Sequence, residues 1–116
     1  VYMVSKAQLD ENREMIAKFL AAVHDALGAM ISAPDLTPVV ESMLTKYELF
    51  EAKRPDKGLS VLQNGVGNYK IGHADKLASD PKVWEQSYEL MIKAGLIEPT
   101  ADQNFYDDSA RTLAFS

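Results

Sequence analysis

The side chains most able to do chemistry in this sequence are few and scattered. His24 and His73 are its only histidines, and it has no cysteine. Neither histidine stands beside another ligand at a recognised metal spacing, so each is expected at a helix surface or boundary. Asp107 and Asp108 could hold a cation. Adjacent carboxylates at a helix start are more simply explained by capping and by the positive end of the helix dipole. Gly65, Gly67, Asn68 and Lys70 have the composition of a phosphate-cradling loop. Such a loop needs a preceding strand, a third glycine and a following helix in register, and none is evident. Trp84, Tyr88 and Tyr106 could stack on a planar ligand, but aromatic residues at helical spacing are expected in a core. No Ser, His and acid arrangement is recognisable. The residues therefore predict no catalytic group, no metal site and no cofactor, and the chain is not expected to be an enzyme.

The elements that carry these residues are read from period and punctuation. Residues 1–4, Val-Tyr-Met-Val, form a short β-favouring run. Ser5 with Gln8 matches a capping box that opens a brief helix to about Glu11. From residue 12 to 33 the apolar positions Ile16, Phe19, Leu20, Val23, Leu27, Met30 and Ile31 recur three or four apart, which predicts one long amphipathic helix. Asn12 is its expected N-cap, Glu14 and Lys18 an expected ion pair on the wet face, and Pro34 its end. A second rod follows. Asp35 or Thr37 caps it, Pro38 lies in its first turn, and Val39, Val40, Met43, Leu44 and Tyr47 form its stripe.

Between residues 48 and 78 the pattern weakens, because Pro55, Gly58, Gly65, Gly67 and Gly72 interrupt an apolar set; a frayed helix from about Lys57 is expected. Asp80 then caps a helix with Pro81 at its first position and Val83, Trp84, Tyr88, Met91 and Ile92 on one face. Gly95 stops it, with Leu96 expected to pack back near Met91. The tail carries Phe105 and Tyr106, then Asp107 and Asp108 ahead of a last short helix over residues 110–115.

Composition sets outer limits. With 116 residues, 47% hydrophobic and 25% charged, the chain has the make-up of one soluble globular domain rather than a disordered segment. A net charge of −5 without a Lys/Arg cluster argues against a phosphate-backbone binder, so no nucleic-acid partner is expected. No uninterrupted apolar run reaches the ~20 residues of a membrane span, and no basic-then-apolar leader opens the sequence. Val1, rather than Met, is read as the start of a processed or excised chain. The run at residues 1–4 is the one confident strand, and a lone strand needs a partner for its backbone groups. Its sheet is expected outside these residues.

The order of these elements, with Asp80-Pro81-Lys82-Val83-Trp84-Glu85-Gln86 leading to Gly95-Leu96-Ile97 and Phe105-Tyr106-Asp107, resembles the later part of substrate-binding proteins of bacterial ABC importers. The group is the one related to thiamine-pyrimidine, sulfonate, taurine and nitrate binding proteins. The likeness spans nearly all 116 residues, and residues 84–106 are its most specific piece. Arg13 stands where the family often has proline, and Gly65 and Gly67 lie in a region usually more helical.

The resemblance implies a mainly α chain: the helical C-terminal portion of a two-lobed α/β periplasmic-binding-protein-like fold, with one short N-terminal strand. Residues 1–116 would form a single partial domain, with strand 1–4 near the hinge and the helices packed on the first lobe. Tyr2 and Ser5 would then lie closest to the ligand cleft. It also implies a small-molecule ligand in the complete protein, an ABC permease as partner, and a location in the periplasm or on a lipid anchor outside the cytoplasmic membrane. An exposed strand edge would favour self-association of the fragment. Two other readings stand beside it: part of an enzyme related to the thiamine-pyrimidine synthases that share this fold, and an independent helical interaction domain.

Overall fold

The computed structural model describes residues 2–47, 54–100 and 106–116. The chain is mainly α, as expected, with five helices among the described residues: α1 (Lys6–Ser32), α2 (Thr37–Tyr47), α3 (Pro55–Ala74), α4 (Pro81–Lys93) and α5 (Ser109–Ala114). It divides into two compact units. One comprises Val1–Leu20 with Leu77–Ser116, the other Ala21–Lys76.

In the first unit the capping box forms as the sequence predicts. The Gln8 amide donates to Ser5 Oγ at 3.1 Å, and the Ser5 amide donates to Gln8 Oε1 at 3.3 Å, satisfying two donors at the start of α1. Asn12 has φ −126° and ψ 26°, a non-helical geometry that kinks α1 where the second helix was expected to begin. The two helices are thus joined end to end. Ion pairing on this turn centres on Asp10, which accepts from Lys6 at 3.0 Å and from Arg13 at 3.4 Å. Among the described residues the expected Glu14–Lys18 pair is not formed.

Residues 2–4 are not a strand, which corrects the expectation for them; Val1 lies outside the described residues. A strand exists through hydrogen bonds to a neighbour, and no second extended segment is present among the described residues to supply them. Their side chains are instead exposed, with Tyr2 set edge-on to Phe19 at 5.8 Å between ring centroids.

α4 begins and ends as its sequence predicts. Asp80 Oδ1 accepts from the Lys82 amide at 2.9 Å, with Pro81 at the first helical position, where its missing N–H costs nothing. At the other end Gly95 takes φ +69°. The Gly95 amide donates to the Ile92 carbonyl and the Leu96 amide to the Met91 carbonyl, both at 2.9 Å, the paired bonds of a Schellman end. The Leu96 side chain does not fold back; it stays 72% exposed. Tyr88 is the buried residue of α4, and its hydroxyl accepts from the Thr100 amide at 2.8 Å, tying the segment after the helix to its middle. Trp84 stacks on Tyr106 with planes 11° apart; both are half-buried, so of the three aromatics expected in a core only Tyr88 is buried. Phe105 lies outside the described residues.

In the second unit α2 starts with the Thr37 amide donating to Asp35 Oδ1 at 2.9 Å. Val40 is its buried residue, whereas Met43 and Tyr47 at the far end of the stripe are exposed. α3 departs most from expectation. It is one continuous 20-residue helix from Pro55, with Gly58, Gly65, Gly67 and Gly72 inside it. Leu59, Leu62, Val66, Tyr69 and His73 follow a seven-residue pattern along one side, and Val66 is buried. α2 packs against α3. Packing of that stripe outweighs the ~1 kcal/mol by which each glycine disfavours a helix. The chain leaves α3 through Lys76 and Leu77, at φ 50° and 60°, a left-handed pair of non-glycine residues.

By length and composition α1 is apolar enough to cross a membrane, although Lys18 and Asp25 interrupt its apolar run. A core helix and a signal sequence pass the same test, and little of its most apolar window is buried.

Candidate functional site

The chain's two histidines, 49 residues apart, meet in the second unit. His24 stands on α1 and His73 in the last turn of α3; their rings stack with centroids 4.1 Å apart and planes 10° apart. His24 Nε2 lies 3.2 Å from the His73 carbonyl oxygen. A carbonyl only accepts, so this nitrogen carries the proton and donates. The other ring nitrogen, Nδ1, faces Asp25 Oδ1 at 3.7 Å. At its Nε2 edge the His73 ring also meets α1 at Gly28: a β-carbon there would lie 2.8 Å from His73 Nε2. The residue at position 28 has to be small for the ring to sit where it does.

Sequence reasoning placed each histidine singly at a helix boundary, and both are indeed half-buried. It could not bring them together. A separation of 49 residues has no meaning within a helix period, and the available signal, His73 continuing the Leu59, Leu62, Val66, Tyr69 series, was obscured by the glycines. Among the described residues no group of three or more His, Cys, Asp or Glu side chains gathers in a way that could hold a metal ion.

The other sequence candidates are placed as follows. Ser5 is engaged at the start of α1, its hydroxyl oxygen accepting from Gln8, while the Tyr2 ring touches Phe19 and is otherwise exposed. Gly65, Gly67, Asn68 and Lys70 lie within α3, so their amides serve the helix and form no phosphate-cradling loop. Asp107 accepts from the Ser109 hydroxyl and from its amide, the latter at 2.8 Å, and these bonds hold its carboxyl below the usual value. Asp108 takes both Nε and Nη2 of Arg111 at 2.6 Å, which lowers its carboxyl and raises the guanidinium in turn. Asp107 thus takes the capping role the sequence suggested, whereas the Asp108 side chain caps no amide and is instead paired with Arg111.

No protein-family model, curated protein or solved structure matches the chain.

Proposed function

We propose that this chain is the helical part of a solute-binding protein of an ABC importer, for a ligand of the thiamine-pyrimidine, sulfonate, taurine or nitrate type. The observation that carries the reading is how much apolar surface the helices leave uncovered. Among the described residues six hydrophobic side chains are buried, and two of those are alanines. Tyr2, Met3, Val4, Met15 and Phe19 are all at least half exposed; Tyr2 touches Phe19, and Met15 lies one turn before it on the same helix. An apolar patch of neighbouring side chains marks a surface made to be covered. A first-lobe sheet supplied by other residues of a complete protein would cover it, with residues 2–4 pairing at its edge. The sequence resemblance, most specific over residues 84–106, also supports the reading. In that protein the chain would contribute Tyr2 and Ser5 near the cleft and work with a permease outside the cytoplasmic membrane. Alone, its uncovered apolar residues favour self-association.

A two-lobed cleft gains affinity by surrounding its ligand and excluding water, which one half cannot do. Calorimetric titration with pyrimidine, sulfonate, taurine and nitrate tests the reading. The complete protein is expected to bind one of them at about micromolar or tighter, and the 116-residue chain none of them. Tight one-to-one binding by the monomeric chain, or a complete protein that binds none, would overturn it.

A further inference from the structure

His24 and His73 are placed so that their charge bears on how α3 ends. We propose that the stacked pair is a proton-operated latch: it holds the last turn of α3 to α1 while at most one ring is charged, and releases that turn when both are. This regulatory role goes beyond the transport reading and does not depend on it.

Histidine is the side chain that ordinarily changes charge between about pH 5 and 8. Rings 10° from parallel at 4.1 Å lie face to face, so two imidazolium charges would oppose one another directly. The hydrogen bond between the helices is not what breaks, because His24 Nε2 donates to the His73 carbonyl in the neutral and in the charged ring alike, and more strongly when charged. What changes is the face-to-face contact.

The charged groups around the pair are few. On α1, Asp25 Oδ1 lies 3.7 Å from His24 Nδ1. Around His73 the chain carries Lys70 on α3 and Asp75 and Lys76 just after it, and α2, packed on α3, carries Glu41 and Lys46. Among the described residues no carboxylate is within ion-pair distance of His73. A second proton therefore goes onto a ring with a charged imidazole on its face and Gly28 against its Nε2 edge, and the ring's escape is to swing out. Swinging out loosens the turn closed by the Asp75 amide on the Ile71 carbonyl at 3.2 Å and by the Lys76 amide on the His73 carbonyl at 3.0 Å.

Hydrogen exchange of the full chain, followed amide by amide and corrected for the intrinsic effect of pH, tests the latch. Between about pH 7.5 and pH 5, protection at Asp75 and Lys76 is expected to fall about tenfold, while the Ala94 and Gly95 amides that end α4 change little. His73→Phe keeps a ring on the stack without a second charge, and His24→Gln keeps an N–H for the His73 carbonyl; in both the fall is expected to be under about twofold. Should His73→Phe not fold, His24→Gln decides. A native fall smaller than about threefold, a fall in His24→Gln equal to the native one, or an equal loss at Ala94 and Gly95 would overturn the latch.

Discussion

His73 rests on Gly28 so closely that its Nε2 occupies the space next to a missing β-carbon, 2.8 Å from where that atom would stand. The glycine thus serves the contact between helices rather than its own. Gly67 in α3 is the opposite case, since nothing lies within 4 Å of a β-carbon built there.

Alanine at both positions separates the two situations. Gly67→Ala is expected to stabilise the chain by up to about 1 kcal/mol, the ordinary gain inside a helix. Gly28→Ala gains the same propensity, but it displaces the His73 ring and forfeits a stack worth about 0.5–1.5 kcal/mol, so no net gain is expected. Thermal melting of the two variants checks this. An equal rise in both midpoints would show that the ring moves aside at no cost.

The same contrast explains what the sequence could reveal. Caps and stops depend on residues within four positions of one another, so Ser5 with Gln8, the kink at Asn12, Asp80 with Pro81, and Gly95 were all legible. α3 was legible only as a frayed helix from about Lys57, because its four glycines lower local propensity and packing against α2 is what makes it one continuous helix from Pro55. The histidine pair depends on that helix running unbroken to its last turn, which a frayed helix does not specify. Residues 2–4 were misread for a related reason: β-favouring side chains do not make a strand without a partner.

Gly95 is the clearest local requirement in the first unit. At φ +69° a β-carbon meets backbone strain although the space around it is open. Gly95→Ala is therefore expected to destabilise by about 1 kcal/mol, with the loss falling on the end of α4. An unchanged or higher melting midpoint would reject the assigned end.

Lys76 has the reverse problem. Its φ of 50° places an exposed lysine in the left-handed region, where a side chain disfavours the backbone by about 1 kcal/mol or more. Lys76→Gly is expected to relieve most of that strain and, after the glycine's extra freedom in the unfolded chain is deducted, to stabilise by about 0.5 kcal/mol. Denaturant unfolding measures the difference. A variant less stable than the native chain would mean that the lysine side chain makes a contribution the turn geometry does not account for.

Acid should act on α5 in a window separate from that of the histidines. The Asp108 carboxyl is held below its ordinary value by the Arg111 guanidinium, with burial opposing, and Asp107 is lowered by Ser109. For a carboxyl depressed in the folded chain, the stabilisation is fully present above the unfolded value of about 3.9 and disappears as pH falls through the lower folded value. Protonation then leaves Arg111 without its two-toothed anionic partner. Asp108 and Arg111 are only partly shielded, with 40% and 25% of their side chains exposed, so the pair contributes at most about 1 kcal/mol. Asp108→Asn removes the charge at every pH. The native chain is accordingly expected to melt above the variant at pH 7, to keep that margin down to about pH 4, and to lose it progressively below. General acid repulsion affects both chains and cancels in the comparison. Melting curves of the two proteins from about pH 7 to pH 2 provide the check, and a margin that stays constant to the acid end would show that the Asp108 charge contributes nothing to holding α5.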